Sequence, residues 1–235
     1  MLSQLDLSKV LFLDIETVPQ YSTYSEVPER LKKLWDLKAG FLAKNEETPE
    51  ELYGRAGIYA EFGKVICISV GFIYSGEIRL KSFYGHDEKV LLQQFIDLLN
   101  GYFSGNEQLL CAHNGKEFDF PYLGRRILIN ELKLPTLLDI AGKKPWEIQH
   151  LDTMELWKFG DFKNYTSLNL LTAAFDIPTP KDDIDGSMVG SVYYKNNDLE
   201  RIKNYCQKDV VALIQLMRKY RGEAIFPEEF IREGE

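Results

Sequence analysis

Apolar residues recur along this chain in two rhythms, a near-continuous one that reads as buried strand and a three-or-four-residue one that reads as helix. Residues 10–14 (VLFLD) form a short apolar run ending in an acid, the pattern of a buried strand that delivers its last residue to a polar place. Strands resume at 64–73 (KVICISVGFI) and 77–83 (EIRLKSF), and Tyr74-Ser75-Gly76 between them suits a hairpin turn. Over 87–100, Val90, Leu91, Phe95, Leu98 and Leu99 keep a helical spacing. Residues 108–112 (QLLCA) then read as a buried strand and 117–129 as a helix. Asp152 falls at the end of a short strand after Pro145, and 166–175 predicts another helix. Pro178 and Pro180 open a polar loop, KDDIDGS. The clearest helix is the last, over 198–220, where Leu199, Ile202, Cys206, Val210, Leu213 and Met217 step by three or four.

Residues 20–60 break both rhythms. They are polar and charged, interrupted by Pro28 and Pro49, with a weak helical spacing at Leu31, Leu34 and Leu37. The stretch reads as an insertion, a helical flap over the core and not part of it. Hairpin strands followed by alternating helices and strands predict an α/β fold, a mixed sheet with helices on its faces, in one domain spanning 1–235.

At 235 residues and 45% hydrophobic content the chain can bury a sizeable core. No apolar run approaches the ~20 residues that span a bilayer, and the first residues lack a signal peptide's basic start. Cys67, Cys111 and Cys206 are odd in number and in no metal spacing, which reads as a reduced, cytoplasmic protein with cysteines in its core. Only His86, His113 and His150 are available, so a multi-histidine zinc site is not expected and any ion would be a hard one held by oxygen. The net charge of −8 argues mildly against a nucleic-acid partner, unless bound cations neutralise acids clustered at a site.

Three local patterns carry candidate chemistry. Asp14 and Glu16 are two apart on a strand, so both carboxylates face the same side, where a divalent cation between them would offset their repulsion. Alone, the pair also fits a strand end where both acids meet solvent. In AHNGKEFDFPYLGRR (112–126) a strand ends, Asn114-Gly115 turns, and Asp119 falls in the first turn of a helix, at the same sheet edge as Asp14. A first-turn acid equally complements a helix dipole. Tyr205 and Asp209 are four apart on the last helix, flanked by apolar Ile202 and Leu213, so they share an inward face. A core tyrosine beside an acid paired to Lys or Arg is the other reading. His150 precedes Asp152 in HLDT, where Asp152 is either a fifth site acid or structural; His113 reads as a hydrogen-bonded turn residue, and Tyr193-Tyr194 as packing under a loop, with base stacking the alternative.

Taken in order, D-I-E-T (14–17), N-G-K-x-F-D-x-P-Y-L (114–123) and Y-x-x-x-D (205–209) resemble the DEDD superfamily of 3′–5′ exonucleases in its tyrosine-bearing subgroup. The sequence is similar in particular to the predicted bacterial exonucleases related to the proofreading domain of B-family DNA polymerases. The resemblance runs from about Val10 to Met217 and includes KDDIDGSMV at 181–189. It implies a ribonuclease H-like mixed β-sheet flanked by α-helices, and removal of nucleotides from 3′ ends with two Mg²⁺ or Mn²⁺ ions. By the same resemblance Asp14 would bridge both ions, Glu16 and Asp209 would complete one shell, and Asp119 would hold the other ion through water. Tyr205 would orient, or deprotonate, the attacking water. Asn114, Phe118 and the backbone of Thr17 would meet the 3′ end, although Asn114 and Phe118 also suit turn and core positions. The 20–60 stretch departs from compact members of the superfamily and bears on substrate access.

Such a site leaves Lys and Arg mainly to track phosphates, for which Arg125, Arg126, Lys143, Lys144, Lys163 and Lys181 are candidates, each equally readable as a solvated charge. The expected partner is single-stranded nucleic acid, DNA ahead of RNA, with no membrane and no protein partner specified. An exoribonuclease would use the same chemistry. A non-catalytic module on a nuclease fold would be expected to have lost a carboxylate, and all four stand here with the tyrosine. A metal-free acid/base hydrolase, such as a glycosidase, would need only two of them.

Overall fold

A computed structural model describes residues 2–105, 107–161, 165–178 and 184–234. Lys163, Lys181 and part of the KDDIDGS loop lie outside these residues. The expected mixed α/β class forms: one six-stranded sheet with helices on its faces, in the order β5-β4-β1-β2-β3-β6. No described helix is long and apolar enough to cross a membrane.

The first strand, β1 (Val10–Pro19), runs on past Asp14 because Ile15, Thr17 and Val18 are β-branched and keep the chain extended. It pairs antiparallel with β2 (Gly63–Tyr74), which turns at Ser75-Gly76 into β3 (Glu77–Tyr84). On its other edge β1 pairs in parallel with the short β4 (Leu109–Ala112), and β4 with β5 (Leu151–Asp152). The parallel pairing of β3 with β6 (Ile231–Glu233) closes the far edge, a strand not anticipated from sequence.

Alternation along β1 divides the core in two. Leu11, Leu13 and Ile15 pack with α2 (Glu88–Tyr102) and α3 (Asp119–Ile129) on one face. On the other, Val10 and Phe12 pack with Val210, Leu213, Ile214 and Met217 of the long helix α7 (Leu199–Tyr220). Asp14 and Glu16 continue the Val10–Phe12 row, so both side chains fall on the α7 face. The helix sits close because Gly71 of β2, paired with Phe12, has no side chain: a Cβ there would come within 2.8 Å of Val210 and 2.9 Å of Ile214. Smaller elements fill the connections: α4 (Thr153–Lys158), α5 (Leu168–Ala174) and α6 (Val189–Ser191).

The 20–60 stretch corrects the expectation twice. It does contain a helix, α1 (Glu29–Leu42), but the helix buries Trp35 and Ala39 while Leu34 and Leu37 are exposed. One indole explains the rotation. Trp35 meets Tyr53 and Phe62 edge-on and donates from Nε1 to the Pro49 carbonyl at 2.8 Å, which outweighs two leucines placed elsewhere on the helix. Second, the end of the stretch belongs to the core. The Gly57 carbonyl accepts from Tyr122 Oη at 2.7 Å and the Ala60 carbonyl accepts from Arg126 Nη1 at 2.8 Å. Gly57 lies so near β1 that a Cβ would come within 3.0 Å of the Val18 backbone.

Arg126 is therefore neither a phosphate-tracking nor a solvated cation. It is 4% exposed and bidentate to buried Glu88, Nε to Oε1 at 2.9 Å and Nη2 to Oε2 at 2.5 Å. Glu88 also accepts from the Val65 amide at 2.7 Å, so this pair fastens α2, α3, β2 and residue 60 together. Truncating one member leaves a buried charge alone, so Glu88→Ala should lower unfolding free energy by about 3–5 kcal/mol. Glu88→Gln, which keeps an acceptor for the Val65 amide, should lose less. Urea melts followed by circular dichroism measure both; a loss below about 1 kcal/mol in Glu88→Ala would mean that Arg126 is re-paired by water.

Candidate active site

The site grows from the point where β4 stops and β1 continues. Strand β4 is in register with β1 only from Val10 to Phe12. Further along β1, the Ile15 amide is bonded by the carboxylate of Asp119, the first residue of α3. The loop between β4 and α3 makes that reach possible. Asn114 is left-handed at φ 62°, its carbonyl accepts from the Glu117 and Phe118 amides, and Gly115 folds where a Cβ would collide with Ala112 at 2.4 Å. Asp152 pins the loop: its carboxylate accepts from the Asn114 and Lys116 amides at 2.9 and 3.1 Å and caps α4 through Met154 at 2.9 Å. Asp152 thus acts as a buried scaffold acid. His113 completes the clamp, with Nε2 donating to the Thr166 carbonyl and Nδ1 accepting from the Thr153 hydroxyl, both at 2.9 Å. His150 is used likewise between Leu110 and Leu137.

From the opposite face, α7 brings Tyr205, Cys206 and Asp209. Cys206 Sγ donates to the Asp14 carbonyl at 3.3 Å, which locks the helix to β1 at the carboxylate pair. One ligand atom each of Asp14, Glu16 and Cys206 lie within 4.8 Å of one another. Asp209 and Asp119 are near enough to raise the Asp14 pKa by repulsion, Asp209 more. The Tyr205 hydroxyl donates to Asp209. The structure therefore brings together all five residues picked from the three sequence patterns.

Burial sets the electrostatics. Asp14 and Glu16 have pKa values pushed well up, first by desolvation and then by neighbouring carboxylates. Asp119 is raised to about 7, again chiefly by burial, against the lowering effect of its backbone bonds. Burial and the carboxylates Asp209, Glu16 and Asp14 also push the Tyr205 phenol up. The Cys206 thiol is raised too, so it is a neutral hydrogen-bond donor. Oδ2 of Asp14 is enclosed and has no hydrogen-bond partner among the described residues. A buried anionic oxygen without a donor is costly. A hard divalent cation fits the Asp14–Glu16 carboxylate pair of β1, with Asp119 of α3 and Asp209 of α7 near enough to act on its charge.

The weaker candidates divide. Thr17 follows a bulge in the β1–β2 pairing, and its side chain bonds Tyr122. Phe118 packs against the core and tilts on Tyr122 at 5.3 Å between ring centroids, and the Asn114 backbone N–H donates to Asp152. Tyr193 and Tyr194 pack edge-to-face, and the Tyr194 hydroxyl donates to the Pro19 carbonyl, which leaves the packing alternative. Sequence reasoning missed Cys206 as a site residue. Its signal was there: it lies inside Y-x-x-x-D, three residues before Asp209, on the face turned to β1.

A family model described as "Predicted 3'-5' exonuclease related to the exonuclease domain of PolB" matches residues 58–222. That span includes Asn114, Phe118, Asp119, Tyr205 and Asp209, whereas Asp14, Glu16 and Thr17 precede it. In three dimensions the chain is similar to the family B DNA polymerase from the hyperthermophilic archaeon Pyrobaculum calidifontis, with a TM-score of 0.53 and 13% identity. The match covers 90% of this chain and 24% of the polymerase, so the chain spans about a quarter of that protein's length. At that identity the likeness carries the fold, a ribonuclease H-like mixed sheet flanked by helices.

The raised carboxylates make a stability prediction. Between the unfolded pKa of 3.8 and the folded value of about 7, folded Asp119 keeps a proton that the unfolded chain has released. Stability of the ion-free protein therefore falls as pH rises through that window, and Asp14 and Glu16 act in the same direction. Melting temperature in chelator should drop from about pH 5 to about pH 8, and Mg²⁺ or Mn²⁺ should restore it at the upper end. Asp14→Asn, lacking the charge, should melt higher than wild type in chelator and gain less from the ions. A pH-independent melt with no response to either ion would contradict this reading of the cluster.

Proposed function

The chain belongs to the family of predicted 3′–5′ exonucleases related to the exonuclease domain of PolB, and we propose that it removes nucleoside monophosphates from the 3′ ends of single-stranded DNA using two Mg²⁺ or Mn²⁺ ions. The observation that carries the metal assignment is the enclosed, unpartnered Oδ2 of Asp14 amid carboxylates from three separate elements. Asp14, Glu16, Asp119 and Asp209 would hold the ions. When bound, such a pair supplies an activated water and offsets charge on the attacking and leaving oxygens.

The chain's own residues position the reaction. Asp209 and Asp14 are fixed to each other's elements through Cys206, so the α7 and β1 carboxylates keep one spacing. Asp119 is aimed by the Ile15 amide, which fixes its rotamer before any ion arrives. Tyr205 is held protonated by burial and by Asp209, and in this reading its hydroxyl orients the attacking water without taking its proton. A free 3′ end suits the site because a frayed terminus presents unstacked nucleotides at lower cost than a duplex does. The net charge of −8 favours a short grip at an end over wrapping of long duplex. Direction, 3′ before 5′, comes from the family.

Removing the ions with chelator should abolish hydrolysis of labelled single-stranded DNA, and so should Asp14→Ala or Asp209→Ala. Tyr205→Phe should lose about 10–100-fold in kcat with KM little changed, since a single positioned group is worth ~10²–10⁴-fold and less where a metal shares the work. Wild-type rates in Tyr205→Phe and Asp209→Ala together would make that helix pair structural.

End dependence gives an independent test. A circular single strand should resist digestion, a 3′ phosphorothioate cap should slow it, and a 5′ cap should not. Matched DNA and RNA oligomers should be cleaved in that order of rate. Rapid cutting of the circle would make the enzyme an endonuclease, and faster hydrolysis of RNA would make it an exoribonuclease.

A further inference from the structure

Tyr205 faces two places at once. One is the carboxylate cluster; the other is a cavity of about 320 Å³ lined by Ile184, Asp198, Glu200, Arg201, Asn204, Tyr205 and Lys208. That volume is at the small end of ligand pockets, ~300–1,000 Å³, and suits a single nucleotide unit. Arg201, Asn204, Tyr205 and Lys208 fall at i, i+3, i+4 and i+7 on α7, so they form one stripe along the helix. Arg201 and Lys208 bracket it two turns apart, about 10.5 Å along the axis. Asn204 sets between them an exposed amide that both donates and accepts.

The two acids of the lining have internal partners. Asp198 caps α7 by accepting from the Arg201 amide at 3.1 Å. Glu200 pairs with Lys203 at 3.0 Å and accepts from the Tyr84 hydroxyl at 2.9 Å. Glu200 and Asn204 are exposed, so among the described residues the cavity opens to solvent on this side of α7.

We propose that this cavity is an upstream subsite, in which Arg201, Lys208 and Asn204 hold the sugar-phosphate backbone on the 5′ side of the nucleotide being removed. It rests on the nuclease reading above and adds the residues that set substrate length. Phosphate contacts from Arg and Lys are strong, salt-sensitive and independent of base identity. The subsite is filled by an oligomer and left empty by a dinucleotide, whose only phosphodiester lies at the carboxylates.

The test compares a thymidylate dinucleotide with an octanucleotide on wild type, Arg201→Ala, Lys208→Ala and the double variant, with Lys89→Ala on α2 as a charge-matched control. Each alanine variant should raise KM for the octanucleotide about tenfold while leaving dinucleotide hydrolysis unchanged. The dependence of log(kcat/KM) on log[salt] for the octanucleotide should flatten by roughly 0.7 for each phosphate no longer neutralised. Arg201→Lys should recover most of the affinity, which separates the loss of a phosphate-binding charge from misfolding. Equal effects on both substrates would place the terminal nucleotide in the cavity and overturn the upstream assignment. No effect on either, or the same loss in Lys89→Ala, would overturn the subsite altogether. A wild type inert on both substrates would remove the nuclease reading, and with it this one.

Discussion

Like charges repel most strongly where water is scarce, and Asp14, Glu16 and Asp119 are held close in such a place. What lies beside Glu16 is Asp14, Asp209, Asp119 and a thiol. Once ionised, this arrangement repels itself, and the rest of the fold holds it shut. Gly71 lets α7 press on the sheet, and Cys206 bonds β1 directly at Asp14. The apolar contacts of Val210, Leu213, Ile214 and Met217 then anchor the same helix beyond the site. On the proposed reading, an ion that neutralised the cluster would be a structural ligand as much as a chemical one.

A second layer fixes the remaining carboxylate. Asp119 is useful only if the loop before it returns to β1, and that return is built from polar groups. Asp152 gathers amides from the loop and from α4, and His113 ties the loop to Thr153 and Thr166. Behind α3, Arg126 and Glu88 do the same for its last turns. Each of these charged or polar groups is buried or partly buried and has its capacity met by neighbours. They hold rotamers and backbone in place at positions where apolar packing alone would leave several options.

The sequence made the first strands and the long helix plain, because the continuous apolar run of VLFL and the three-four stepping from Leu199 to Met217 are direct images of burial, whereas β6 carries no such run. That Asp14 with Glu16, and Tyr205 with Asp209, would each share a face was legible for a related reason: two-residue and four-residue spacings have a geometric meaning once strand and helix are known. What failed was anything decided by contacts distant in sequence. The weak spacing of Leu31, Leu34 and Leu37 did not reveal that Tyr53 and Phe62 would draw Trp35 inward and leave Leu34 and Leu37 exposed. Arg126 looked like any other basic residue on a helix, since nothing local reveals that Glu88, Ala60 and Asn130 converge on it. Gly57 and Ala60 were assigned to a flap because composition averages over the few residues that touch the core. Cys206 was rightly placed in the core, but its bond to Asp14 joins residues 192 apart in sequence.

The acidity of the chain is less of an obstacle to a nucleic-acid substrate than the total of −8 suggests. Net charge sets the long-range field, whereas binding at a strand end depends on charges within about a Debye length, ~8–10 Å at ordinary salt. Several acids are paired locally: Glu88 with Arg126, Glu155 with Lys116 and Glu107 with Lys9, while Glu200 and Glu233 share Lys203. The acids gathered at the centre are those that bound ions would neutralise. Beside them, along one face of α7, stand Arg201 and Lys208. On the proposed reading, a chain of this composition would repel polyanions at a distance and accept one only where bound ions and helix together reverse the sign, which would favour a short grip on a single-stranded end over capture of long duplex.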